Sequence, residues 1–278
     1  MAQTALALEI RAIAAAAHGK VSVACSLPEP GLNCDLHPHA HPPMQSVFKF
    51  PLALAALHLV EEGRLSLDQP VRFLASDRIP HAYSPLQDKY PRADVDVPVR
   101  ELLRLAVSLS DNVAADVVLR TIGGPSFLNT YIRSIGVSGF HVEDNEMALH
   151  RDVAAQYRNW FEPAGAVELL RRVSDNSPLT PGDTELILEW MRDSPSAPHR
   201  IKGRLPRDAV VMHKSGTSDT GHGMTYATND IGLVTLPTGR RLAIAVFITD
   251  STADEDTRDT VIARIALAAY EESLRPLK

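Results

Sequence analysis

The sequence predicts an α/β (α+β) fold in which an antiparallel sheet, flanked by helices from the two chain ends, packs against an all-helical lobe. Three observations indicate this fold. Strand-like patterns lie near both ends, at 20–36 and 209–248, helical periodicity dominates between them, and a last amphipathic helix is expected at 256–272. We therefore assign 1–43 and 198–278 to a discontinuous α/β lobe and 44–197 to the helical lobe, with the site expected in the cleft between them.

The individual elements follow from local patterns. An alanine-rich helix opens the chain, a hairpin is expected from 20–27 and 32–36, and a buried helix runs from Gln45 to Gly63, its first turns weakened by Pro51. Further helices are expected at 99–107, 112–122, 125–135, 151–161, 164–173 and 181–192. Strands are expected at 209–213, 225–236 and 241–248, the last two joined by a turn at Thr238-Gly239.

The composition is typical of a globular protein that acts on a small molecule. The chain has 278 residues, 45% of them hydrophobic and 22% charged, and its net charge of −6 includes no basic stripe or polybasic tail. We therefore expect neither a nucleic-acid nor a membrane partner. No apolar run reaches the roughly 18–20 residues that span a bilayer, and the first residues lack the pattern of an export signal.

The two cysteines leave two interpretations open. Cys25 and Cys34 flank a Pro-Glu-Pro-Gly turn. They either pair across the expected hairpin or remain two buried thiols.

Ser46-Val47-Phe48-Lys49 places a hydroxyl and an ammonium three residues apart, on one face of the expected helix. Lys49 can then hold or accept the proton of Ser46, and the positive end of the helix stabilises an oxyanion. A Ser-x-x-Lys pattern arises about once by chance in a chain of this length. Its placement on an otherwise apolar helix favours function, because a lysine there needs a partner.

Two further short motifs carry polar side chains toward the expected cleft. Ser110-Asp111-Asn112 lies between helical segments, where Asp111 is expected to cap the next helix. A second copy, 174–176, ends a helix and is explained by an ordinary loop. Lys214-Ser215-Gly216-Thr217 follows a strand, and its glycine allows a ligand to lie close to the backbone. In purely structural terms, the motif at 110–112 would be a helix cap, and the motif at 214–217 would be an edge strand protected by its lysine.

Ser-x-x-Lys, Ser-Asp-Asn and Lys-Ser-Gly, in this order, form the motif set of class A β-lactamases and penicillin-binding proteins. The chain resembles class A serine β-lactamases over almost its whole length, and their PER-type extended-spectrum branch at 44–50, 213–218 and 227–232. The resemblance implies a β-lactamase/DD-peptidase-like fold. It also implies hydrolysis of penicillins and cephalosporins through a serine acyl-enzyme, antibiotic resistance, no cofactor or metal, a monomer, and a periplasmic or secreted location.

Hydrolysis requires a base that activates water, and Glu146 is at that position in a segment, 144–150, that resembles the class A omega loop. The order of the motifs then selects Ser110 over Ser174. The chain carries His150 where the family usually has Asn, and Asp144 where it usually has Arg. Both departures resemble the PER-type branch.

The resemblance also implies a role for each site residue. The catalytic residues are Ser46, Lys49, Ser110 and Glu146; the serine proton goes either to Lys49 or, through water, to Glu146. The backbone N–H groups of Ser46 and Thr217 form the oxyanion hole, and Ser110 passes a proton to the leaving nitrogen. The residues expected to bind substrate are Asn112, Lys214, Ser215, Gly216, Thr217, Arg200 and Tyr83.

Three rival functions remain to be distinguished. A DD-peptidase or transpeptidase forms the same acyl-enzyme, but Glu146 argues against it. An acylated sensor domain would keep the acyl group, and an attached membrane segment would favour it. A metal hydrolase would use His37, His39 and His41, for which a surface loop is the better explanation.

Overall fold

The computed structural model describes residues 5–29, 31–175 and 178–275. The α-helices are α1 (Ala5–Ala14), α2 (Lys49–Glu61), α3 (Pro85–Lys89), α4 (Val99–Ser108), α5 (Asn112–Ile122), α6 (Gly124–Ser134), α7 (Glu146–Arg151), α8 (Pro163–Ser174), α9 (Pro181–Arg192) and α10 (Glu255–Ser273). Short 3-10 segments are Ala15–Ala17, Gln45–Phe48, Ala75–Asp77, Val153–Arg158 and Ile201–Arg204. No helix in these ranges is long and apolar enough to cross a membrane.

The main sheet is antiparallel and combines strands from distant parts of the chain. Its order is β1-β9-β8-β6, with β7 paired to β8. The strands are β1 (Lys20–Ser26), β2 (Pro70–Phe73), β3 (Val95–Pro98), β4 (Phe140–His141), β5 (Trp160–Phe161), β6 (Val211–Thr217), β7 (Thr220–Gly221), β8 (Met224–Thr235) and β9 (Arg241–Ser251). The predicted turn at Thr238-Gly239 joins β8 to β9, and Gly239 has a φ of 81° that suits glycine.

The sheet separates two hydrophobic cores. Along β9, Ala243, Ala245 and Phe247 face the core built on α2, α4, α5, α8 and α9, whereas Ile244 and Val246 face the core built on α1 and α10. This alternation is the period of a strand that is buried on both faces. The predicted arrangement of a sheet with terminal helices on one side and the middle helices on the other is confirmed. The residue boundaries of the two lobes remain a prediction.

The segment that carries Ser46 begins as a 3-10 turn, and α-helical geometry starts at Lys49. Pro51 therefore lies in the first turn of α2, where a missing N–H removes no intrahelical α-type bond. That Pro51 weakens the first turns of this helix remains a prediction. The helix itself is buried along most of its length.

Three local expectations were wrong. Residues 32–36 form no strand, because only Leu36 bridges Val23. The helix predicted at 151–161 is absent, since Arg151 ends α7 and Asp152, which accepts the N–H of Ala154 at 2.9 Å, starts a 3-10 segment that leads into β5. Strand β6 extends four residues past its predicted end at His213.

The middle of the chain also contains two short antiparallel ribbons, β2 with β3 and β4 with β5, which the hydrophobic pattern did not predict.

In the second Ser-Asp-Asn copy, Ser174 ends α8 as expected, and Asn176 lies outside the described residues.

Cys25 and Cys34 form a disulfide bond. The bond ties β1 to the loop that returns toward Leu36. The pairing of the two cysteines, one of the two interpretations left open by the sequence, is confirmed, although residues 32–36 form no second strand of a hairpin. No other cysteine is present in the sequence.

Candidate active site

Lys49 lies at the centre of the candidate site. It is fully buried, and its ammonium donates hydrogen bonds to Ser46 Oγ at 2.9 Å, to the Ser110 carbonyl at 2.9 Å and to Asn112 Oδ1 at 2.5 Å. These three oxygens come from two segments, the turn that carries Ser46 and the Ser-Asp-Asn motif at 110–112. Because an ammonium has three N–H donors, these bonds use all of them.

Glu146 approaches the same ammonium from the other side of the cleft. Asn145 caps α7 by accepting the N–H of Ala148 at 3.0 Å, and this turn places the Glu146 carboxylate inside the protein. Glu146 Oε1 lies 2.9 Å from Lys49 Nζ, yet no directed hydrogen bond reaches that oxygen from the described residues. The contact is therefore an ion pair whose carboxylate oxygen can still accept a hydrogen bond from water.

Asp116 holds the backbone of this turn in place and was not predicted from the sequence. Its two carboxyl oxygens accept the N–H groups of Glu146 at 2.7 Å and Met147 at 3.0 Å. Burial, and next the negative charge of Glu146, raises the pKa of Asp116 to about 7, although the two backbone N–H groups and Lys49 oppose that rise. An acidic residue in the middle of the otherwise apolar helix α5 was the available sequence signal.

The two residues that depart from the usual family pattern both have partners here. Asp144 accepts a hydrogen bond from Arg158 Nε at 2.6 Å, and His150 Nδ1 donates to the Glu146 carbonyl at 2.9 Å. Asn159 closes the base of the loop, since its side-chain amide donates to the Asp144 carbonyl and accepts the Asp144 N–H. These hydrogen bonds fix the backbone of the loop on both sides of Glu146.

Ser110 is held between the two lysines of the site. Its carbonyl binds Lys49, and its hydroxyl accepts a hydrogen bond from Lys214 Nζ at 2.9 Å. The backbone of Ser110 has a φ of 58°, which costs energy for a residue with a Cβ and occurs preferentially at functional sites. Its neighbour Asp111 caps α5 as expected, through the N–H of Ala114 at 2.9 Å, and binds the Ser84 hydroxyl at 2.7 Å.

Strand β6 brings the predicted Lys-Ser-Gly-Thr motif against the turn that carries Ser46. A Cβ on Gly216 would lie 2.6 Å from the Met44 carbonyl oxygen and 3.3 Å from Ser46 N, so only glycine permits this approach. Lys214 is fully buried, and burial, followed by repulsion from Lys49, lowers its pKa well below the usual lysine value. Asp230 and Glu146 oppose that decrease.

Arg200 is buried beside the end of β6. Its Nε donates to Asp259 at 2.7 Å, and its Nη1 donates to the carbonyls of Gly216 at 3.2 Å and Asn229 at 3.1 Å. No hydrogen bond is made by Nη2 within the described part of the chain, and Arg200 lines the cleft. The guanidinium is thus fixed in place with one donor group left for a ligand.

Two adjoining cavities, of about 540 and 400 Å³, form the cleft. Both are lined by Ser46, Tyr83, Asn112 and Thr217; Glu146 lines the first, and Ser110, Ser215, Gly216 and Arg200 line the second. Tyr83 stands at the rim with 61% of its surface exposed. Its carbonyl accepts the N–H of Asn112 at 3.2 Å, which ties the rim to α5.

The three histidines singled out as possible metal ligands lie elsewhere. His39 and His41 each bind one carboxylate oxygen of Glu162, at 2.9 and 3.1 Å, and His41 stacks on Trp160. His37 and His41 line a separate cavity of about 670 Å³ near the edge strand β1. No group of three or more potential metal ligands occurs among the residues that the structure describes.

Known proteins resemble this chain over most of its length. A family model described as the β-lactamase enzyme family matches residues 5–273. The chain is 40% identical, over 87% of its length and 79% of the relative's, to the extended-spectrum β-lactamase PER-1 of Pseudomonas aeruginosa. The chain belongs to the class A β-lactamases. The expected resemblance to the PER-type branch is thereby confirmed.

The solved structures of this family also match in fold. A β-lactamase from Chitinophaga pinensis superposes with a TM-score of 0.94 at 39% identity, with 97% of this chain and 100% of that chain covered. A class A β-lactamase from Bacteroides cellulosilyticus gives a TM-score of 0.88 at 29% identity and covers 96% of each chain. The predicted fold class of this β-lactamase family member is therefore correct.

Proposed function

We propose that this class A family member hydrolyses the lactam amide bond of penicillins and cephalosporins through an acyl-enzyme on Ser46. The observation that carries the proposal is the position of Glu146: its buried carboxylate reaches the cluster of Lys49 and Ser46 and retains an unused acceptor oxygen. A hydrolase needs such a group beside the acylated serine, whereas a transpeptidase must keep water away from it.

Acylation uses the residues on both sides of Ser46. Ser46 Oγ attacks the lactam carbonyl carbon and loses its proton to the base, the C–N bond breaks, and the nitrogen receives a proton from the Ser110 hydroxyl. The proton taken from Ser46 is then passed through the cleft to the Ser110 oxygen, so that the base is ionised again. Lys49 donates to three oxygens, whereas Glu146 Oε1 accepts no hydrogen bond from the described residues, which favours Glu146, acting through a water, as the base. Lys49 then stabilises the developing charge on Ser46 Oγ.

Deacylation uses the same carboxylate a second time. Glu146 takes a proton from a water, the water oxygen bonds to the acyl carbon, and the bond to Ser46 Oγ breaks as Glu146 returns that proton to the serine oxygen. Asp116 and Asn145 fix the turn from which Glu146 projects. The geometry therefore supports one base for both half-reactions.

The remaining residues bind the substrate. Lys214, Ser215, Thr217 and the free Nη2 of Arg200 would receive the substrate carboxylate at the end of β6. Asn112 uses its oxygen for Lys49, so its amide N–H₂ group is the donor that would meet the acylamino carbonyl. The backbone N–H groups of Ser46 and Thr217 would form the oxyanion hole, a role supported by the close approach of Gly216 to Ser46. Tyr83 would cover the substrate at the rim.

The cellular setting is proposed on the same basis. The Cys25–Cys34 disulfide is typical of oxidising compartments, which supports a periplasmic or secreted location. The proposed catalytic groups all come from one chain, so that the site is compatible with a monomer. No step of the proposed mechanism requires a cofactor.

Hydrolysis of the chromogenic cephalosporin nitrocefin, measured with and without a chelator, tests the function directly. We expect multiple rapid turnovers per enzyme molecule that a chelator leaves unchanged. A single burst of one equivalent, followed by a stable adduct, would instead indicate a transpeptidase or an acylated sensor domain. Loss of activity with the chelator would indicate a metal hydrolase.

A further inference from the structure

Behind the proposed substrate-carboxylate site lies a buried pair of ionisable residues that the mechanism above does not use. Asp230 on β8 and His213 on β6 are both fully buried, and His213 Nδ1 lies 2.9 Å from each oxygen of the Asp230 carboxylate. Because both oxygens are acceptors, the ring donates through Nδ1–H. Gly232, opposite His213 in the sheet, makes room for the ring, since a Cβ there would lie 2.9 Å from His213 Cβ.

The Asp230 carboxylate contacts the chain next to both proposed substrate-binding cations. His213 directly precedes Lys214, and the N–H of Ile201, which directly follows Arg200, donates to Asp230 Oδ2 at 3.2 Å. Arg200 itself donates to the carbonyl of Asn229, the residue before Asp230. One carboxylate thus connects β6, β8 and the segment that carries Arg200.

The charge of Asp230 also matters to Lys214. The charged groups that act on this buried ammonium are Lys49, Arg200, Glu146 and Asp230. Burial and the two cations lower the pKa of Lys214, whereas Asp230 and Glu146 raise it. A buried cation without a nearby anion is costly, so the carboxylate favours the charged form of Lys214.

We propose that Asp230 is a positioning residue that holds Lys214 and Arg200 in place for the substrate carboxylate, through His213 and the N–H of Ile201. The inference rests on the proposed function, because it presumes that these two cations receive the carboxylate. Asp230 does not touch the substrate in this arrangement. It acts through the chain neighbours of the residues that do.

The test compares a cephalosporin with its carboxylate methyl ester as substrates of the wild-type enzyme and of Asp230→Asn. Asparagine keeps the size of the side chain and one acceptor oxygen but removes the charge. We expect KM for the acid to rise about tenfold, the loss corresponding to one charge-assisted interaction, with little change in kcat and little change in KM for the ester. The basic limb of kcat/KM for the acid should move to lower pH, because Lys214 loses its proton more easily.

A second variant and a control keep structural damage separate from positioning. His213→Asn retains a donor for Asp230 and should give the same selective effect, smaller in size, even if Asp230→Asn fails to fold. Ser251→Ala is the matched control: this buried hydroxyl binds the Ala17 carbonyl at the end of β9. Its loss should lower Tm without changing the ratio of the acid and ester KM values.

Two results would overturn the proposal, and they have different meanings. If Asp230→Asn raises KM equally for acid and ester, or leaves both unchanged, Asp230 does not act through the carboxylate site, although hydrolysis by the wild type stands. If the wild-type enzyme itself hydrolyses the β-lactam but does not distinguish acid from ester, the assignment of Lys214 and Arg200 is wrong and the role of Asp230 is lost with it. Absence of any turnover by the wild type would refute the proposed function first.

Discussion

Glu146 Oε1 and Lys49 Nζ lie 2.9 Å apart inside the protein, although one residue begins a short helix in a loop and the other begins the long buried helix α2. The lysine gives its directed hydrogen bonds to other oxygens. The Glu146 carboxylate therefore lies beside the hydrogen-bond partner of Ser46 Oγ, and its Oε1 can still accept a proton.

Replacement of Glu146 by Gln should slow deacylation more than acylation, because Lys49 Nζ, 2.9 Å from Ser46 Oγ, can still take the serine proton, whereas no other base among the described residues is placed for the water. We expect kcat for a penicillin to fall by about 10²–10⁴-fold, the usual contribution of a general base, and an acyl adduct on Ser46 to accumulate in intact-mass spectra. Glu143→Gln, in the same loop but with an exposed side chain, is the matched control and should behave as wild type. Turnover of Glu146→Gln at the parental rate would show that another group activates the water.

Replacement of Ser46 by Ala should abolish acylation altogether. Without the hydroxyl no bond to the lactam carbonyl can form, so kcat/KM should fall by about 10⁴-fold or more, and the intact mass should stay unchanged after incubation with a β-lactam. Thermal unfolding should differ little, because the hydroxyl lies in the cleft. An adduct on the Ser46→Ala protein would place the nucleophile elsewhere.

Asp116 should make the stability of the fold depend on pH. Its pKa is raised to about 7 by burial and by Glu146, above the ordinary value of 3.8, so the folded protein binds a proton that the unfolded chain has released. The stabilisation of the folded state by this protonated Asp116 is fully present below pH 3.8 and is lost as the pH rises through about 7.

Thermal unfolding of Asp116→Asn and of the wild type across pH 5–8 measures this effect. The asparagine variant cannot ionise, so its Tm relative to the wild type should increase as the pH rises. Any change in hydrogen bonding caused by the substitution shifts the Tm of the variant by about the same amount at every pH. The pH dependence of the Tm difference therefore reports the ionisation of Asp116. A Tm difference that is independent of pH would mean that Asp116 titrates outside this window.

The Cys25–Cys34 disulfide should contribute stability without contributing to catalysis. The bonded cysteines are nine residues apart, and closure of a loop of this size corresponds to about 2–3 kcal/mol. The double variant C25S/C34S should lose about that amount in urea unfolding and keep its kcat/KM, because Cys25 is on β1, at the opposite edge of the main sheet from β6, the strand that packs against Ser46. Equal stability of the oxidised wild type and the variant would contradict this.

Most helices could be predicted because their capping signals and their periodicity agree. Helices α5 and α9 have the predicted bounds, each preceded by a capping residue, Asp111 and Thr180. The prediction for the segment 151–161 failed because Asp152 offers a local cap for a tighter turn, and because Trp160 and Phe161 pair with β4 instead of continuing a helix. Strand β6 was cut short because Lys214 and Ser215 are polar, yet they are buried inside the cleft.

The proposed site residues could be named from short motifs and a family resemblance, but the connections between them could not. Spacing along the chain placed Ser46 beside Lys49, whereas the contact of Lys49 with Glu146 depends on how the loop at 142–159 folds back. Asp116 and Asp230 were missed for the same reason: a buried carboxylate shows its function only through the N–H groups that it binds. Such groups belong to residues far away in the sequence.

Pairing between β1 and β9 has a consequence for how the protein is made. Lys20 pairs with Thr249, so the edge of the sheet cannot be completed on the ribosome until the chain has been synthesised beyond residue 250. Contacts this distant in sequence slow folding. The edge of the main sheet in a nascent chain therefore stays unpaired through most of its synthesis.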